Sequence, residues 1–216
     1  MATATKTTAS NDDQVVRLKI SWSGYEALVE NLGDHNHVRL TYDGETLEIM
    51  SPGTTHEFFA TLIADMLAIV KLEWQLSLTG YGSTTFKTKP KGFEADKTFY
   101  LDVKDRVRDV WNIDIAVDPA PDLLVEIEIT SSSTDKLPIY ASLGVPEVWR
   151  YTPKGFAAFT LSDGHYVQID VSRIISGLPL SEIASRLESA EPGDSFAFLS
   201  DWQHWLRHNH HLHEPA

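Results

Sequence analysis

The sequence contains no cysteine, which excludes disulfide bonds and thiolate metal sites and makes a cytoplasmic location the expected one. It has no apolar run approaching the ~20 residues that a membrane-spanning helix needs, so no membrane association is expected. Its opening, MATATKTTASNDD, has no apolar stretch and does not read as a secretory signal. Positive charge is scarce: 18 Lys and Arg stand against 31 Asp and Glu, a net charge of −13. Such a chain repels nucleic acid at long range, so nucleic-acid chemistry would need a local basic patch or a bound divalent cation. Internal repeats and a Gly/Ser/Pro linker are also absent. The 216 residues are therefore expected to form one domain over 14–207, between a flexible tail over 1–13 and a His-rich, disordered tail over 208–216.

What is present is an α/β pattern in the α+β sense, a mixed sheet flanked by helices with an N-terminal hairpin and a C-terminal strand meander. Ser23-x-x-Glu26 reads as a capping box before a helix that ends at Gly33. Asp43-Gly44 between two apolar-rich runs predicts a hairpin. Phe58, Phe59, Leu62, Ile63, Met66, Leu67 and Val70 recur at helical spacing and predict a helix from Thr55 to about Gln75. STTFKTKP and EADKTFYLDV read as paired strands around Pro90–Gly92. A strand over 122–130 leads to a helix at 134–143, a three-strand meander and two C-terminal helices.

The strand DLLVEIEIT carries Glu126 and Glu128 on one face and Leu123, Val125, Ile127 and Ile129 on the other. Two carboxylates ~6.5–7 Å apart repel by roughly 2–3 kcal/mol at an effective dielectric of about 20. The plain reading is an edge strand with one wet face. The chemical reading is a hard-metal site, since carboxylate oxygens on rigid strands suit Mg²⁺ or Mn²⁺. Asp96, if its strand neighbours this one, supplies another carboxylate beside Glu126. Glu57 lies in the first turn of the long helix, either as the end of a Thr54-x-x-Glu57 capping box or leaning over a metal site. Lys136, four residues before Tyr140 on one helix face, is either solvated or a cation for a phosphate oxygen. Lys87, Lys89 and Lys91 alternate just before Asp96 and read as a solvated face or as DNA-backbone contacts.

Four blocks, LEIMSPGTTHE (47–57), GFEADKTFYL (92–101), PDLLVEIEITSSSTDK (121–136) and IYASLGVPEVWRY (139–151), resemble the Uma2 family in order and spacing, over about residues 22 to 190. That family is similar to restriction-endonuclease-like PD-(D/E)XK nucleases. The resemblance implies a Mg²⁺- or Mn²⁺-dependent endonuclease acting on DNA; the sequence leaves the oligomeric state open, a homodimer included. Asp96 matches the motif aspartate, with Ala95 where a proline is common. Glu126 matches the motif glutamate, and Glu57 matches the acidic residue of the first core helix. The lysine two residues after the glutamate is replaced by Glu128, and the family's lysine in the following helix is matched by Lys136. The resemblance thus implies Asp96, Glu126, Lys136 and Glu57 as catalytic residues, with Asp96 and Glu126 as metal ligands and Glu128 adding a ligand or only charge. Two other readings stay open: an inactive binding or scaffold protein that keeps the fold, and a hydrolase of another phosphodiester such as RNA.

Overall fold

The structure, a computed structural model, describes residues 13–33, 37–82, 84–88, 90–107, 109–111, 113–115, 117–130 and 136–213. The chain opens with strand β1 (Gln14–Lys19) and helix α1 (Trp22–Leu32). Ser21, not Ser23, caps α1, its hydroxyl accepting from the Gly24 amide, and the helix stops at Gly33 with φ of +60°. The hairpin of β2 (Arg39–Tyr42) and β3 (Thr46–Ser51) turns at Asp43-Gly44, where Asp43 Oδ1 accepts from the amides of Glu45 and Thr46. The long helix α2 (Thr54–Glu73) begins at Gly53 without a side-chain cap, so the expected Thr54 capping box does not form. The short strand β4 (Leu78–Tyr81) follows, and then β5 (Thr84–Thr88), β6 (Lys91–Ala95) and β7 (Lys97–Leu101).

The stretch expected as one strand over 94–103 is two. β6 joins an antiparallel sheet of order β1-β3-β2-β6-β5, and the chain turns at Asp96 so that β7 enters a second sheet. After helix α3 (Val103–Arg106) come strand β8 (Leu123–Ile127), helix α4 (Leu137–Ser142), and the meander β9 (Glu147–Thr152), β10 (Gly155–Ser162) and β11 (His165–Ile169). The second sheet has the order β11-β10-β9-β8-β7-β4 and is antiparallel except for the β8–β9 pair. Parallel neighbours need a crossover, and α4 lies on it. Helices α5 (Leu180–Glu188) and α6 (Ser195–His208) close the fold.

β8 is therefore no edge strand. It lies between β7 and β9 and is buried on both faces. Leu123, Val125 and Ile127 pack into the main core with α2, α5 and α6. Leu124 packs oppositely, with Phe86, Phe93, Ile139 and Tyr140. The His-rich end is folded as far as it is described: His213 stacks on Trp74 with ring centroids 5.1 Å apart. Among the described residues no helix is long and apolar enough to cross a membrane.

Candidate active site

The corner at Asp96 and the middle of β8 meet. β7 and β8 pair in the register Lys97↔Val125, Thr98↔Leu124 and Phe99↔Leu123. Extended by one step, this register sets Asp96 against Glu126. Asp96 Oδ2 accepts from the Ile127 amide at 2.9 Å, which locks the corner onto β8. Both carboxylates are buried, Asp96 to 2% and Glu126 to 1% exposure. The chain thus holds two acids in a place where an unpaired charge is expensive.

Lys136, just before α4, answers one of them. Its Nζ donates to Glu126 Oε2 at 2.8 Å. Glu126 Oε1, by contrast, is buried without a closed hydrogen bond among the described residues, and so is the Tyr140 hydroxyl, which lies near enough to the Glu126 carboxylate for the two to interact. Burial pushes the Glu126 carboxyl up, Lys136 opposes this, and Asp96 and Glu128 add to it, leaving the group at about 7. The repulsion expected from the sequence is therefore present, but burial outweighs it. Burial also acts against the Lys136 ammonium, yet Glu126 and Asp96 hold it charged above the ordinary lysine range. Burial first, then the charges of Glu126 and Asp96, keep the Tyr140 phenol neutral.

Asp96 is held by a residue that the sequence reading passed over. His56 Nε2 lies 2.9 Å from Asp96 Oδ1, and its Nδ1 lies 3.3 Å from Asp13 Oδ1. Asp13, the last residue of the segment read as a tail, is buried and accepts from the Gly53 amide at 2.9 Å. A neutral imidazole has one N–H, so two carboxylate partners favour the doubly protonated ring. Burial pushes His56 down, but Asp13 and Asp96 outweigh it and raise it to about 10. Its contribution to stability is therefore full below the ordinary value of 6.5 and lost as pH rises through about 10. Thermal melts of the wild type should fall over that interval, and His56→Gln should flatten the slope there. An unchanged slope would mean that His56 is neutral in the fold. The signal for His56 was legible: it shares the buried stripe of α2 with Ala60, Ile63, Leu67 and Val70. Nothing in the local sequence marked Asp13.

The remaining named residues divide. Glu57, half exposed, reaches Arg39 Nη2 at 3.8 Å, and Arg39 Nε lies 3.4 Å from Asp96 Oδ1. Glu128 lies just past β8, half-buried, close enough to raise Glu126. Lys91 opens β6; Lys87 lies on β5, where its side chain is outside the description, and Lys89 lies outside the described residues. Among the described residues, no group of three or more acids and histidines is arranged to hold a metal, so Glu57 and Glu128 do not complete a cage around Asp96 and Glu126. Two carboxylates remain. They fit Mg²⁺ or Mn²⁺, which take oxygen donors and are commonly held by one or two carboxylates plus substrate phosphates. Glu126 Oε1, buried and without a closed hydrogen bond among the described residues, is the donor in hand, and His56, with both nitrogens on carboxylates, is not a ligand.

Residues 22–191 match the family Uma2, described as "Putative restriction endonuclease". The chain belongs to the Uma2 family. A crystal structure titled as a "putative nuclease" from Anabaena variabilis ATCC 29413 superposes with a TM-score of 0.49 at 14% identity, over 83% of this chain and 99% of that one. No curated protein matches in sequence. The α/β fold read from the sequence, with its N-terminal hairpin and C-terminal meander, is the one observed, and this Uma2 protein is a member of a restriction-endonuclease-like nuclease family.

Proposed function

We propose that this Uma2 protein is a Mg²⁺- or Mn²⁺-dependent endonuclease that hydrolyses DNA phosphodiester bonds. The observation that carries the proposal is the opposition of Asp96, at the corner before β7, and Glu126 on β8, with Lys136 on one Glu126 oxygen and no closed hydrogen bond on the other among the described residues. Asp96 and Glu126 would hold the ion; when bound, it lowers the pKa of a water and offsets charge on the phosphate. The protein's own parts then have distinct tasks. His56 and the Ile127 amide fix the Asp96 carboxylate from two sides. Lys136 orients Glu126 and offers positive charge to an oxygen that becomes more negative as the phosphate is attacked. The lysine displaced from its usual place, two residues after the glutamate, is thus supplied from the crossover before α4, which supports an active site over a scaffold.

The test is direct. Purified protein with Mg²⁺ or Mn²⁺ should nick supercoiled plasmid, and EDTA should stop it. RNA and a dinucleotide phosphodiester serve as comparison substrates. Cleavage of RNA but not DNA would move the substrate, and no cleavage of any of them would favour the scaffold reading. The same ions should also raise the melting temperature, by about 2.7 kcal/mol of stability at a hundredfold excess over Kd.

A further inference from the structure

We infer that Arg39 binds a phosphate of the substrate and is held in readiness by Glu57 and Asp96, an inference that rests on the nuclease reading above. Arg39 opens β2, which pairs with β6 at Thr41↔Phe93 and Tyr42↔Gly92. Extended two steps, this register sets Arg39 beside Ala95, one residue from the corner at Asp96. Its side chain is 15% exposed, and its Nε is buried without a hydrogen bond among the described residues. The contacts at 3.4 Å to Asp96 and 3.8 Å to Glu57 exceed the ~2.7–2.9 Å of a charge-assisted hydrogen bond. Other arginines here do close on their partners: Arg17 reaches Glu48, and Arg207 reaches Glu73, both at 2.9 Å.

The loose fit has a cause. Asp96 Oδ1 is already committed to His56 at 2.9 Å, and Glu57, at 52% side-chain exposure, is drawn to water. A largely dehydrated guanidinium with donors to spare is costly unless an anion completes it. Its planar fork matches the two non-bridging oxygens of a phosphodiester. Glu57 can yield its place cheaply, because an exposed ion pair is worth little. Lys136 already gives one of its three N–H donors to Glu126, and Arg150, beside Glu126 in the register, also has an unbonded Nε but lies over the Phe159 ring at 5.2 Å, whereas Arg39 stands beside two carboxylates without closing on either.

The experiment measures binding of a mixed-sequence DNA duplex in EDTA across a salt series, with nicking rates measured separately in Mg²⁺. Arg39→Gln should weaken binding to all sequences alike and flatten the slope of log K against log salt by about one, the mark of one lost phosphate contact. Arg39→Lys should keep the slope but lower kcat/KM, because the charge survives and the fork does not. Glu57→Gln should tighten binding, and should do so only where Arg39 is present. A folded Arg39→Gln protein with the wild-type slope would overturn the inference and leave Arg39 as a neutraliser of nearby carboxylates. If Arg39→Gln does not fold, Glu57→Gln decides, and no tightening overturns the inference. A wild type that binds and nicks while Arg39→Gln keeps its slope sinks this inference alone. A wild type that neither binds nor nicks sinks the nuclease reading, and this inference with it.

Discussion

Asp96→Asn is expected to reduce metal-dependent nicking to background while leaving a folded protein. Asparagine keeps the shape and an oxygen for the Ile127 amide, which is bonded at 2.9 Å. It removes the charge that a hard cation requires. It also deprives the His56 imidazolium of one of its two carboxylates. The stability cost should be about 1.5–3 kcal/mol, the scale of a hydrogen bond to a charged group. Plasmid nicking and thermal melts check both parts. Nicking at the wild-type rate would reduce Asp96 to a structural acceptor at the corner between the sheets.

Lys136→Met should lower the nicking rate by roughly 10²–10³, the scale for losing one preorganised electrostatic partner. Methionine retains much of the stem and none of the charge. Metal affinity should not weaken, since an ammonium is not a ligand; a large loss in calorimetry would show that the lysine organises the site instead. The variant also carries a pH signature. Glu126 is raised from 4.5 to about 7, so its contribution to the metal-free fold is present at low pH and lost as pH climbs through that interval. Without the Nζ at 2.8 Å opposing the shift, the loss in Lys136→Met should be deeper and continue to higher pH. Divalent metal should reverse part of it. Identical melting profiles for wild type and variant between pH 4.5 and 9 would contradict the buried pairing.

The parts legible in the sequence were those with local causes. The hairpin at Asp43-Gly44, the stripe of α2 and the meander each follow from periodicity and turn chemistry within a few residues. Asp96 and Glu126 were legible as a pair because strand alternation and the family blocks pointed to the same faces. The corner at Asp96 was not, because a change of sheet leaves no break in apolar alternation: Ala95, Phe99 and Leu101 read as one strand. The burial of both β8 faces was hidden by Glu126, whose charge suggested solvent. Asp13 and Arg39 act only through contacts with residues distant in the chain, Asp13 on His56 and Arg39 on Asp96. No local pattern encodes such contacts.

The connection from α3 to β8 separates the two central carboxylates along the chain, although the β7–β8 register brings them together in space. A backbone cut there would leave Asp96, His56 and Arg39 on one fragment and Glu126 and Lys136 on the other. On the proposed reading, neither piece would carry the full set of site residues. Rejoining them would mean rebuilding the β7–β8 pairing, so a cut chain of this kind would behave as a complementation reporter: silent in halves, and cleaving only when whatever is fused to the halves brings them together.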